Sequence, residues 1–141
     1  MITVSNTAAV TLAPGQALTF NDIVWKSGCG EAFRNLTSAV FAAQGVYDIA
    51  FSGNVAATTG GDALQLNIAV DGVTLPETTM ISTPATADIF NNVSTGTTIG
   101  NRGSCFNPNP GSVSITVVNT GTTTVTVGAN ARLSVKRVAG M

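Results

Sequence analysis

The sequence contains no histidine, which removes Ser-His-Asp and Cys-His catalytic arrangements and every histidine-ligated metal site at once. Charge is scarce as well: Asp, Glu, Lys and Arg make up 9% of the 141 residues, against roughly 25% in an average soluble protein. The carboxylates, Asp22, Glu31, Asp48, Asp62, Asp71, Glu77 and Asp88, stand singly and mostly beside turns. No pair is set out for acid–base work on a glycosidic bond. The 6 Lys and Arg residues are dispersed and the net charge is -1, so there is no cationic footprint for a phosphate backbone and nucleic acid is not an expected partner. No apolar run approaches the ~20 residues of a membrane-spanning helix, and Met1-Ile2-Thr3-Val4 lacks a basic region followed by an apolar block. A membrane is therefore not an expected partner either. Aromatic residues are 6% of the chain, with Trp25 and Tyr47 the single tryptophan and tyrosine. Neither an enzymatic activity nor a cofactor is expected.

Two glycine patterns, Gly28-Cys29-Gly30 and Gly100-Asn101-Arg102-Gly103, superficially resemble phosphate loops. Neither opens a helical segment nor carries the Lys-Ser/Thr pair of a nucleotide site, so both read as turns. Asp62 follows Gly60-Gly61, but nothing around it has the spacing of a calcium loop. The two cysteines, Cys29 and Cys105, each lie in a loop-like stretch without a metal-ligating companion. Two readings stay open for them: one disulfide closing a long loop, worth about 2–4 kcal/mol, or two reduced small hydrophobes.

What fills the place of charge is Thr, Ser, Asn and Gly, a composition suited to strands whose outer faces meet other protein as well as water. The chain reads as short strands punctuated by turns, with no convincing helix. Residues 125–135 alternate without a break, placing Val125, Val127, Ala129, Ala131, Leu133 and Val135 on one stripe and Thr126, Asn130, Arg132 and Ser134 on the other; this predicts one long strand. Residues 46–55 alternate in the same way, with Tyr47, Ile49, Phe51 and Val55 on the apolar face and Asp48, Ala50, Ser52 and Asn54 on the polar one. Leu64, Leu66, Ile68 and Val70 form a third alternation, and Asp71-Gly72 after it is the favoured two-residue hairpin turn. Strands are also predicted over 18–25, about 36–41 and 113–117, the last joined to the terminal strand as a hairpin through Asn119-Thr120-Gly121. Pro76 and Pro84 bracket an edge strand or covering loop, and residues 85–103 are less legible. Eight or more strands at this spacing predict an all-β sandwich or jelly roll.

In order and spacing these segments resemble the trimeric jelly rolls of the tumour-necrosis-factor and complement-head type. Gly45-Val46-Tyr47-Asp48-Ile49-Ala50-Phe51 resembles that group's Gly-x-Tyr-x-Ile/Val-x-Phe strand, residues 64–72 its next strand and hairpin, and residues 131–137 its last strand. The nearest flavour is the small Gly- and Thr-rich jelly rolls of bacteriophage structural proteins and of the heads of bacterial collagen-like surface proteins. The resemblance implies an antiparallel two-sheet sandwich over residues 18–141, preceded by residues 1–17 as an N-terminal strand or anchoring segment. It also implies a homotrimer in which the Gly45 strand and the C-terminal strand are neighbours. Asp48, Ala50, Ser52, Arg132, Ser134 and Lys136 would then face the other subunits, with Asp48 placed to pair with Arg132 or Lys136.

Two function classes follow as expectations. The first is a non-enzymatic component of a bacteriophage virion, a capsid decoration or fibre tip exposed at the particle surface, with capsid or fibre proteins as partners. Its contact loops would be residues 58–61, 82–90 and 107–110, and residues 1–10 would anchor it so that their deletion frees an intact trimer. The second is an adhesin head on a bacterial or spore surface that binds carbohydrate. Trp25 is its one good candidate for a ligand platform, against the blander expectation that Trp25 caps the core.

Overall fold

The computed structural model describes residues 1–28, 31–33, 38–101 and 111–139. In chain order the strands are β1 (Ile2–Ser5), β2 (Val10–Leu12), β3 (Asp22–Lys26), β4 (Glu31–Phe33), β5 (Val40–Ala42), β6 (Gly45–Ala57) and β7 (Leu64–Val70). They continue as β8 (Val73–Thr74), β9 (Met80–Ser82), β10 (Asn91–Asn101), β11 (Val113–Asn119), β12 (Val125–Val127) and β13 (Arg132–Ala139), with one 3-10 turn at Pro76–Thr78.

These strands make two antiparallel sheets, and the fold is a jelly-roll β-sandwich. In the first sheet β6 is the spine. It pairs with β10 along one edge and with β12 and then β13 along the other; β13 leads on to β1 and β3, and β12 to β2. The second sheet runs β4-β5-β11-β7, with β8 and β9 both on the far edge of β7. The Gly45 strand and the C-terminal strand are thus direct neighbours, in the arrangement the tumour-necrosis-factor resemblance implies.

The inward faces are set by alternation. Tyr47, Ile49, Phe51 and Val55 of β6 and Leu133 and Val135 of β13 meet Leu64, Leu66 and Ile68 of β7 and Ile115 and Val117 of β11 in one buried cluster. Asp71 and Gly72 turn β7 into β8 with φ of 51° and 80°, the double left-handed conformation of a tight hairpin turn that Asp-Gly tolerates.

The N-terminal residues belong to the same sheet. β1 is hydrogen-bonded on both sides, to β13 and to β3, and Ile2 and Val4 are fully buried. Deleting residues 1–10 would remove an interior strand, so they are not an appended anchor whose loss leaves the rest intact.

Three expectations need correction. Residues 125–135 are not one strand: β12 and β13 are separated by residues 128–131, which stand opposite only residues 53–54 of β6. Asn6 holds the break, since its side-chain amide donates to the Gly128 carbonyl at 2.9 Å while its oxygen accepts from the Ala131 amide at 3.0 Å. Gly53 makes room for it; a Cβ there would lie 2.9 Å from Ala131 Cβ. Ala129 therefore points to solvent, not into the stripe. Nor do residues 113–119 form a hairpin with the terminal strand. β11 lies in the second sheet and β12 in the first, and the buried Asn119 ties the crossing by donating to the carbonyls of Leu12 at 3.1 Å and Thr123 at 2.9 Å. Residues 18–25 likewise cross between sheets. The Leu18 amide donates to Val117 of the second sheet at 2.8 Å, whereas Asn21 donates to Ser5 of the first at 3.1 Å.

Because Asn119 satisfies two carbonyls through buried hydrogen bonds, Asn119→Ala is expected to destabilise the fold by about 1–3 kcal/mol. Urea unfolding measures it as a lowered midpoint at unchanged slope; an unchanged midpoint would contradict the role given to this side chain.

Candidate functional site

The outward face of the first sheet is where the predicted interface residues meet. Residues directly opposite in an antiparallel ladder share a face, so the registers define rows across the sheet. One row runs Trp25, Thr3, Ser134, Ala50, Gly96. The next runs Asp22, Ser5, Arg132, Ser52, Ser94, and a third holds Lys136, Asp48 and Thr98. All six predicted residues, Asp48, Ala50, Ser52, Arg132, Ser134 and Lys136, therefore lie on one face within three consecutive rows.

The middle of this face is hollow. Ala50, Ser52, Ser94, Gly96, Arg132 and Ser134 line an open groove of about 440 Å³. Its floor is shallow for a simple reason: β6 and β10 present only Ala50, Ser52, Ser94 and Gly96 there, and β13 adds Ser134, so the pleated backbone is thinly covered. Arg132 is the one long side chain on the rim. It is exposed and makes no hydrogen bond or ion pair with any described residue.

Asp48 and Lys136 stand directly opposite each other on β6 and β13. The Asp48 carboxylate nevertheless accepts from the Thr98 hydroxyl at 2.6 Å, and it has no cation within ion-pair distance among the described residues. Both charges are left facing outward.

Trp25 does not cap the core. It is 60% exposed on β3, whose five residues are all exposed at the edge of the sheet. A bulge between Thr3 and Val4 sets Asp22 and Trp25, three residues apart, onto the same outward face. Cys29 and Cys105 lie outside the described residues, as does the loop at 107–110. The other two loop candidates come together at one end of the sandwich: the Gly61 amide donates to the Pro84 carbonyl at 2.8 Å and the Asp88 amide to the Ala57 carbonyl at 3.0 Å. Ile89 and Phe90 are exposed beside them.

Sequence reasoning missed Thr3, Ser5, Asp22, Ser94 and Gly96. The signal for Ser94 and Gly96 existed in the alternation of β10, but threonines at 95 and 97 occupy inward positions where apolar residues would have revealed it.

At the opposite end of the sheet the Met1 amino group lies 3.2 Å from the buried Glu31 carboxylate, near enough for an ion pair though not aligned as a hydrogen bond, and it donates to the Ser27 carbonyl at 2.7 Å. Burial holds the Tyr47 hydroxyl above its ordinary pKa; nearby Arg137 opposes that effect and Glu31 adds to it.

No protein-family profile matches the chain, and no curated protein matches it in sequence. Among solved structures the chain is similar to murine APRIL at pH 5.0, at 11% identity and a TM-score of 0.49 over 86% of this chain and 98% of that one. It is similar to the PRD1 vertex protein P5, at 13% identity and a TM-score of 0.45 over 97% and 95%. It is also similar to the C-terminal domain of EclA, a sugar-binding protein, at 14% identity and a TM-score of 0.42 over 93% and 79%. A shared fold of this kind assigns no role.

Tyr47 is the one tyrosine of the chain, so tyrosinate absorbance reports it alone. The folded state holds this proton more tightly than the unfolded chain does. Its contribution to stability is complete below the ordinary value of 10.0 and is lost as pH rises through the folded value. The absorbance is expected to titrate above 10.0 in the folded protein, and Tyr47→Phe to flatten the fall in stability over that range.

Proposed function

We propose that the chain is a non-enzymatic structural protein of a bacteriophage virion, a capsid decoration or fibre tip, that assembles as a homotrimer through the outward face of its first sheet. The observation that carries this reading is the groove. A sheet face built from Gly, Ala, Ser and Thr, flanked by Arg132, Lys136 and Asp48, none in an ion pair with a described residue, leaves a hollow in the subunit that a neighbouring protein surface fills. Depletion of charge at the centre of a face, with charges kept at its margin, is the composition of a protein–protein contact. The loops at 58–61 and 82–90 then stand at one end of the trimer as a joint contact surface for capsid or fibre proteins.

The exposed indole of Trp25 favours a second reading, a carbohydrate-binding head on a bacterial or spore surface. An indole beside hydroxyl-rich strands offers both the apolar plate and the polar groups that sugars use.

Two measurements test these readings. Sedimentation at micromolar concentration is expected to give a trimer. Ala50→Trp, which fills the groove without touching the core, is expected to give a folded monomer; a wild-type monomer would sink the assembly. A glycan array on wild type and Trp25→Ala addresses the second reading, which requires a signal that the substitution abolishes.

A further inference from the structure

The groove and the Trp25 edge are different surfaces of one sheet, and each lacks what the other offers. The geometry points to a head-to-tail contact in which β3 of one subunit seats on the groove of the next, with Trp25 in the hollow and Asp22 against Arg132. This deepens the homotrimer reading and rests on it.

Three observations carry it. First, Trp25 cannot fill its own groove. Along its row, Thr3 and Ser134 intervene before Ala50, and strands lie about 4.8 Å apart, so the hollow begins roughly 10 Å away, beyond the extension of an indole from its Cα. The occupant must come from another molecule. Second, the spacing matches. The bulge in β3 sets Trp25 opposite Thr3 and Asp22 opposite Ser5, two positions apart on β1, and Ser134 and Arg132 are two positions apart on β13 in the same two rows. An arriving β3 that runs in the same sense as the subunit's own β3 and places its indole over Ser134 and Ala50 therefore carries its carboxylate toward Arg132. Third, the charges are complementary and free. Neither Asp22 nor Arg132 makes a side-chain hydrogen bond or ion pair with a described residue of its own subunit, and both are exposed.

A second copy fits these facts better than a sugar does. Phe51 is the aromatic residue that borders the groove, but its side chain is buried in the core, so a sugar lying in the groove would meet no exposed ring to stack on. The arriving strand supplies both an indole and a carboxylate. Because donor edge and acceptor groove are distinct, each copy gives one contact and takes one, and the assembly closes as a ring when the rotation between copies closes.

Trp25 is the one tryptophan of the chain, so its fluorescence reports the contact directly. The full chain is examined by sedimentation, by tryptophan emission and by acrylamide quenching, with circular dichroism as the check on folding. The expected result is a trimer with blue-shifted, shielded emission that turns red and quenchable on dilution to monomer. Trp25→Ala and Asp22→Arg are each expected to weaken assembly at least ten-fold, and Asp22→Arg combined with Arg132→Asp to restore it. A trimer whose Trp25 stays fully quenchable, or which is indifferent to charge reversal, overturns this contact and leaves the homotrimer standing. A monomer at micromolar concentration overturns both. Open polymers in place of a trimer overturn ring closure by this contact, and quenching of the trimer's Trp25 by an added glycan overturns the burial of its indole.

Discussion

Hydrogen bonding along both edges of β6 is the constraint from which the first sheet follows. The strand is thirteen residues long, and eleven consecutive positions pair with β10 on one side while β12 and β13 divide the other. Because a single strand sets the register for both sides, its alternation fixes two surfaces together. Tyr47, Ile49 and Phe51 go into the core, and Asp48, Ala50 and Ser52 go to the outward face with whatever β10 and β13 place beside them. The groove is the outward record of a register that the core enforces, since sliding any neighbour by one residue would turn its apolar set to water.

Much of this was legible in the sequence where the controlling interactions are local. The alternation of Leu64–Val70 and the Asp71-Gly72 turn are decided within a few residues, and the structure keeps both. The face of the Gly45 strand was legible for the same reason. Gly128 and Asn130, the latter at φ 67°, are a local sign that the terminal alternation is broken, but the Asn6 contacts to Gly128 and Ala131 that hold the break span more than 120 residues. For Trp25 the sequence left an exposed platform and a cap on the core both open, and the bulge, which a local pattern does not announce, is what turns Trp25 and Asp22 to one outward side. Asn119 reads as a turn residue in either topology; only its bonds to Leu12 and Thr123 show that the turn leads into the other sheet.

The low charge of the chain takes on a specific meaning once the face is seen. The centre of the outward face is uncharged and small, while Asp22, Asp48, Arg132 and Lys136 stand around it, with opposite signs on different strands. Such an arrangement discriminates partners more by fit and sign than by strength, because a misplaced neighbour leaves a charge facing its like or an indole facing water.

The interruption at residues 128–131 has an evolutionary consequence. It adds two residues relative to β6, and two is the period of a strand, so Val125 and Val127 before it and Leu133 and Val135 after it all remain inward. Because these residues bow out of the ladder, the register on each side is held by β6 and not by the length of the segment, just as the one-residue bulge in β3 leaves both of its flanks on their own faces. This corner can therefore take a change of length without moving the core set.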